Sequence, residues 1–140
     1  MPFAFTSSIL PRPIWLFVAL YFAASLAHFS HNAEYIASYP NMPSWLTREQ
    51  VYAAWLAITG VGVVGFALAR LGWNSAGAAC LLAYGAFGLD GLAHYSLALC
   101  SEHTLATNLT IWAEAATGAA LAICCGAFIA SNLHARPGVR

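Results

Sequence analysis

The chain has 140 residues, of which 61% are hydrophobic and only 7% are charged, and its formal net charge is zero. A soluble domain carries charge on about a quarter of its residues, so this composition excludes a water-soluble globular protein. Lysine is absent and the basic residues are five arginines, which excludes nucleic acid as a partner because no basic surface is available to bind phosphates. We therefore predict an integral membrane protein whose first partner is the lipid bilayer.

Four apolar segments are each long enough to cross a hydrocarbon core of about 30 Å as a helix. They cover residues 14–35, 50–68, 76–99 and 109–131. At about 20 residues per span they use most of the chain and leave no room for a second domain. The predicted fold is a single all-α domain over residues 1–140, a four-transmembrane-helix bundle with short loops.

The first link is rich in proline and ends in a signal for a helix start. Pro40 and Pro43 predict a turn. The segment Thr47-Arg48-Glu49-Gln50 has the pattern of a capping box, so the second helix is expected to begin near Arg48. A cleaved signal peptide is the rival interpretation of the first span, because Ala23–Ala27 is rich in small residues. We expect the chain to keep this segment as a span.

The arginines predict how the chain is oriented in the membrane. Arg12, Arg70, Arg136 and Arg140 flank the spans on one side, and only Arg48 lies on the other side. Because the positive side of a membrane protein faces the cytoplasm, both termini are predicted to be cytoplasmic. The links after the first and third spans then face outward. The expected location is a bacterial-type inner membrane or a plasma membrane.

Six ionisable side chains fall within the spans or at their edges, namely His28, His31, Glu34, Asp90, His94 and Glu114. An unpaired charge at the bilayer centre costs at least about 2.5 to 3.5 kcal/mol, so each of them is a functional candidate. At a rise of about 1.5 Å per residue, His28, His94 and Glu114 lie roughly 8 to 11 Å below the outer boundary. Asp90 is expected on the face of His94, since the two are four residues apart, whereas His31 lies nearer water.

This layer of imidazoles and carboxylates suits a transition-metal ion. Neutral imidazole binds zinc, copper and iron, and a carboxylate supplies compensating charge or fixes a histidine tautomer. The predicted metal ligands are His28, His31, His94, Asp90 and Glu114. The predicted catalytic residues are Glu34, Asp90 and Glu114. The leading hypothesis is a membrane-embedded metal-dependent enzyme, a hydrolase or an oxidoreductase, acting on a lipophilic or membrane-proximal small molecule, with zinc, iron and copper all open as the metal.

Haem b is an alternative cofactor for the same histidines. Two histidines on different helices of a bundle can ligate haem iron from its two sides, and His28 or His31 is then expected to face His94. Such a protein is an electron carrier or a membrane anchor subunit. Ion transport by one copy is not predicted, because the ionisable side chains stop halfway across the membrane.

A metal-free acid/base function is the third hypothesis. Leu20-Tyr21-Phe22 in the first span, followed by the acidic Glu34, is similar to the sterol-isomerase and sigma-2-receptor family of four-helix membrane proteins. The resemblance covers one span, and the histidine-rich layer departs from the pattern of that family, so we do not assign the chain to it. It implies a lipid enzyme or ligand-binding protein in which Glu34 stabilises a cationic ligand or intermediate.

Glycines recur on the second and third spans at short spacing. They are Gly60, Gly62 and Gly65 on the second span, and Gly85, Gly88 and Gly91 on the third. Small residues at such spacing let helices approach closely in a membrane. We expect these faces to pack within the bundle, and they also offer a surface through which copies of the chain can associate as a homo-oligomer.

Overall fold

The structure is a computed structural model, and it describes residues 10–134. Four helical segments are long and apolar enough to cross a membrane, namely Arg12–Glu34, Arg48–Arg70, Asn74–Leu97 and Leu105–His134. The predicted all-helical fold with four candidate spans is therefore present, although the ends of each span differ by a few residues from the prediction. Arg136 and Arg140, which contribute to the predicted orientation, lie outside the described residues.

The α-helices in chain order are α1 (Arg12–Glu34), α2 (Arg48–Arg70), α3 (Asn74–Ala86), α4 (His94–Leu97) and α5 (Leu105–His134). The third span is not one α-helix, because a 3-10 helix over Phe87–Ala93 separates α3 from α4. Side chains in a 3-10 helix repeat every three residues. Asp90 therefore does not lie on the same face as His94, contrary to the prediction made from α-helical spacing. It is exposed, and its neighbour Gly91 is buried.

Local sequence signals account for how the first two helices begin and how the second one ends. Pro13 lies in the first turn of α1, where a missing backbone N–H costs no helical hydrogen bond. The capping box predicted at the start of α2 is confirmed, since the Gln50 N–H donates to the Thr47 hydroxyl at 3.3 Å and the Thr47 N–H donates to Gln50 Oε1 at 2.8 Å. After α2 the chain turns at Gly72, which has a left-handed φ of 86°.

Short links make each span antiparallel to the next, and the four spans pack as a closed bundle. Around the bundle, α1 packs against α2, α2 against α3, α3 against α5, and α5 against α1. Residues 35–47 and 98–104 form one end, which we call the site end. The turn over residues 71–73 lies at the other end, which we call the arginine end because α1 begins there with Arg12 and α2 ends there with Arg70.

The interior of the bundle is divided into an apolar part and a polar part. The apolar part lies toward the arginine end and is formed by Leu10, Ile14, Tyr21, Ala78, Leu81, Tyr84, Leu121 and Cys125. Most of the buried polar side chains lie toward the site end, namely His28, Asn32, His103, Thr107, Asn108 and Glu114. Large apolar side chains such as Leu56, Val63 and Ile123 are exposed on the outside, as expected for helices that face lipid. A helix bundle in lipid does not need buried polar side chains in order to pack, so the polar interior is where we look for a functional site.

Glycines bring α3 and the 3-10 helix into backbone contact with α5. A Cβ atom added at Gly85 would lie 2.6 Å from the Gly118 carbonyl oxygen, and one added at Gly88 would lie 2.9 Å from the Glu114 carbonyl oxygen. The predicted close approach is thus present at these positions. At Gly60, no atom of another described segment lies within 4 Å of such a Cβ atom.

Candidate functional site

Polar side chains from α1, α4, α5 and the two links at the site end (residues 35–47 and 98–104) meet inside that end of the bundle. We call them the polar cluster, and its members are His28, His31, Asn32, Tyr39, His94, His103, Thr110 and Glu114. The convergence of the first, third and fourth spans that the depth estimate predicted is therefore present. The first, third and fourth spans contribute residues because the cluster lies near the end that these antiparallel spans share, whereas α2 contributes none.

His28 and Glu114 form the centre of the cluster. Their side chains are 3% and 1% exposed, and His28 Nε2 lies 3.6 Å from Glu114 Oε2. Neither carboxylate oxygen has a hydrogen-bond partner within the part of the chain that the structure describes. The absence of a side chain at Gly91 makes room for the pair, since a Cβ atom there would lie 3.0 Å from Glu114 Oε2. The pair is thus a buried acid and imidazole without full hydrogen bonding.

The tautomer of His28 follows from its contact with Thr110. The Thr110 hydroxyl donates to the Thr107 carbonyl oxygen at 2.9 Å, and it lies 3.3 Å from His28 Nδ1. Because the hydroxyl hydrogen is already used, Nδ1 of His28 carries a proton and donates it to Thr110. Nε2 of a neutral His28 then presents a lone pair to Glu114. Two acceptors face each other in this pair unless a proton or a metal ion lies between them.

Hydrogen bonds also indicate which ring nitrogen carries the proton in His103 and in His94. His103 donates from Nδ1 to the Leu99 carbonyl oxygen at 3.0 Å, so a neutral His103 keeps its lone pair on Nε2, which is buried and has no partner in residues 10–134. His94 Nε2 lies 3.2 Å from the Asn32 amide nitrogen and accepts its hydrogen bond. A hydrogen bond on one ring nitrogen orients a histidine and leaves the other nitrogen available as a ligand. His28 and His103 both have this arrangement.

Tyr39 from the first link fills the space between the histidines. Its ring centroid lies 4.9 Å from that of His94, 6.4 Å from that of His103 and 6.5 Å from that of His28. Its hydroxyl lies 2.9 Å from Nδ1 of the half-buried His31. Burial raises the pKa of Tyr39 to about 12, so its hydroxyl is a neutral member of the cluster at neutral pH.

The two links are held in place by hydrogen bonds to the ends of the spans. Asn41, which has a left-handed φ of 58°, donates from its side chain to the Leu97 carbonyl oxygen at 2.8 Å. The Asn108 amide donates to the Cys100 carbonyl oxygen at 3.0 Å and accepts from the Tyr95 hydroxyl at 2.7 Å. These bonds fix the backbone around Tyr39 and His103, the two cluster residues that come from links.

Three residues predicted for the site lie at its margin or outside it. His31 is half-buried and contacts Tyr39 rather than the His28–Glu114 pair. Glu34 is exposed, and one of its oxygens accepts from Arg48 Nη2 at 2.6 Å and from the Tyr52 hydroxyl at 2.8 Å. Asp90 is exposed on the 3-10 helix. Of the predicted residues, the structure brings His28, His94 and Glu114 together inside the cluster, with His31 at its margin.

Sequence reasoning missed four members of the cluster. Asn32 and Thr110 lie one helical turn from His28 and Glu114, so the four-residue spacing was a usable signal for both of them. His103 lies in the link before α5 and Tyr39 in the proline-rich first link, and no periodic pattern marks either. Their positions depend on how the links fold back over the bundle.

The spacing of the central pair fits two ligands of one ion. Two ligands bound at about 2.1 Å to a tetrahedral ion lie about 3.4 Å apart, close to the 3.6 Å between His28 Nε2 and Glu114 Oε2. Among the described residues, no group of three or more His, Cys, Asp or Glu side chains is arranged to hold a metal ion. No family model, curated protein or solved structure matches the chain. A functional proposal therefore rests on the geometry of the polar cluster.

Proposed function

We propose that the polar cluster binds one transition-metal ion and that the chain is a membrane-embedded metal-dependent enzyme acting on a lipophilic or membrane-proximal small molecule. The supporting observation is the buried pair in which the His28 lone pair faces a Glu114 carboxylate that has no hydrogen-bond partner. A buried carboxylate is costly unless it is paired or coordinates a metal. A divalent ion between the two side chains satisfies both of them.

His28 and Glu114 are the first two ligands of the proposed site. His103 has a free lone pair on Nε2, and His94 is 5.4 Å from His28 between ring centroids. Because no three such side chains are arranged to hold an ion in the described residues, either imidazole has to move toward the pair to become the third ligand. His94 Nε2 accepts a hydrogen bond from Asn32. The His94 ring therefore has to rotate before it can bind an ion. An ion held by imidazoles and one carboxylate activates a water molecule or polarises a substrate oxygen.

Metal analysis and an absorption spectrum of the purified protein test this proposal. Cells supplied with zinc, iron and copper are expected to yield protein with a stoichiometric amount of one of these metals and without a Soret band. A Soret band favours the haem b alternative, although the edge contact between the His28 and His94 rings suits a single ion better than a porphyrin between them. Protein that is free of metal after growth with all three metals overturns the proposal.

A second candidate is metal-free acid/base chemistry on a lipophilic substrate. It is favoured by the lack of a third ligand around the His28–Glu114 pair in the described residues, since a single proton shared by the pair also satisfies it. In this candidate Glu114 takes the acidic role, because Glu34 is paired with Arg48 on the surface. It predicts protein without metal in which the polar cluster binds a lipophilic amine that mimics a cationic intermediate.

We propose that the site end faces outward and that both termini are cytoplasmic, in a bacterial-type inner membrane or a plasma membrane. This follows from Arg12 and Arg70 at the arginine end. Cys100 is the exposed cysteine and lies at the site end. A membrane-impermeant maleimide is therefore expected to label intact cells that express the protein, or right-side-out vesicles. Labelling should disappear in Cys100→Ser, and labelling that requires permeabilised cells contradicts this orientation.

A further inference from the structure

A groove runs along the lipid-facing side of α1 and α2, away from the polar cluster. Its inner part has a volume of about 360 Å³ and is lined mostly by apolar residues, among them Val18, Phe22, Gly62 and Val63, and by the hydroxyl-bearing Thr59 and Tyr84. Its outer part, of about 420 Å³, opens at the arginine end. Trp15 and Phe66 line both parts, and their rings pack edge to face with centroids 5.4 Å apart, so the two parts adjoin across this pair of rings.

The outer part of the groove has a positive mouth. Arg70 and Asn74 line it, and Arg70 has no acidic partner within residues 10–134. Arg12 begins α1 at the same end and is likewise without an ion pair in the described chain. The five acidic residues all lie in the half of the bundle toward the site end, namely Glu34, Glu49, Asp90, Glu102 and Glu114. The mouth is therefore complementary to an anion.

The length of the groove matches one leaflet of a membrane. Arg70 at its mouth and Thr59 at its inner end are eleven residues apart on α2, which is about 16 Å of helix. Half of a hydrocarbon core of about 30 Å has nearly the same depth. When a lipid headgroup lies at Arg70, the groove is therefore about as long as one acyl chain of that lipid.

From these observations we propose that the groove binds one anionic phospholipid of the surrounding membrane. One acyl chain lies between α1 and α2 over the Trp15 and Phe66 rings, and the phosphate is held by Arg70 and the Asn74 side chain. An arginine at the membrane surface attracts anionic lipid headgroups, while the recessed apolar path between the helices removes the chain from the freely exchanging lipid. The groove is separate from the polar cluster, so metal-free protein leaves this proposal intact.

Thermal unfolding of the full chain in detergent tests the proposal, with added dioleoyl phosphatidylglycerol compared against dioleoyl phosphatidylcholine. The wild type is expected to be stabilised by phosphatidylglycerol at concentrations at which phosphatidylcholine has little effect, and native mass spectrometry should retain one phosphatidylglycerol molecule. Arg70→Gln should weaken the apparent affinity for phosphatidylglycerol by about tenfold, as expected for a lost contact of about 1.4 kcal/mol. Ala19→Trp, which places a large side chain in the groove wall, should weaken it as well.

Arg48→Gln is the matched control, because this arginine is at the site end and is paired with Glu34. It should leave the phosphatidylglycerol effect unchanged when each variant is compared with its own lipid-free sample. Equal stabilisation of the wild type by the two lipids overturns the proposal. So does an Arg70→Gln protein that responds to phosphatidylglycerol as the wild type does, since it shows that the mouth of the groove does not bind the headgroup.

Discussion

Glu114→Gln is expected to remove the metal ion that we propose for the polar cluster and to lower the thermal stability of the protein. Glutamine keeps the size of the side chain but loses the negative charge that compensates the ion. Changes to residues that only orient ligands weaken metal affinity by about 10- to 100-fold, so loss of the carboxylate ligand should weaken it by at least about 100-fold. Metal content and the unfolding temperature, measured on the same preparation, check this result. His28→Ala should have the same effect on metal content.

Two variants serve as controls for the metal prediction. Glu34→Gln removes an exposed carboxylate that is bound to Arg48 and Tyr52, and His134→Ala removes an exposed imidazole at the far end of α5. Both should keep the metal content of the wild type. A higher unfolding temperature for Glu114→Gln contradicts the prediction, because it indicates that the carboxylate is an uncompensated buried charge, whose removal stabilises a membrane protein.

Gly85→Ala is expected to separate α3 from α5 and to destabilise the bundle by about 1 to 3 kcal/mol. The added Cβ atom would lie 2.6 Å from the Gly118 carbonyl oxygen and 3.0 Å from the Ala122 nitrogen. Both of these atoms belong to the backbone, so relief requires one helix to shift rather than a side chain to rotate. The free energy of unfolding, measured in mixed detergent micelles by titration with a denaturing detergent, checks the prediction.

Gly60→Ala is the matched control for helix packing. It makes the same change on α2, where no atom of a neighbouring described segment lies within 4 Å of the added Cβ atom. It should not destabilise the bundle, and the higher helix propensity of alanine should stabilise it by up to about 1 kcal/mol. If the two variants unfold alike, the close contact between α3 and α5 does not limit stability. Because Glu114 lies on α5 one turn from Gly118, Gly85→Ala should also weaken metal binding, and Gly60→Ala should not.

The sequence by itself determined the membrane class, the four spans and the start of α2. These features depend on local properties, namely the length of an apolar run and the capping box between Thr47 and Gln50, which are three positions apart. It also determined that His28, His94 and Glu114 lie at one depth, because depth depends only on position along a helix. The common depth was enough to predict that the three residues meet.

Only the tertiary structure decided which candidates point inward and which groups join them. The 3-10 helix turns Asp90 outward and Gly91 toward Glu114, a change of helix type that periodicity does not reveal. Arg48 draws Glu34 to the surface, since two residues in different spans pair only after the helices have packed. Tyr39 and His103 enter the cluster because the links fold over the end of the bundle. Contacts between distant parts of the chain carry no local pattern, so the packed bundle alone selects the residues of the site.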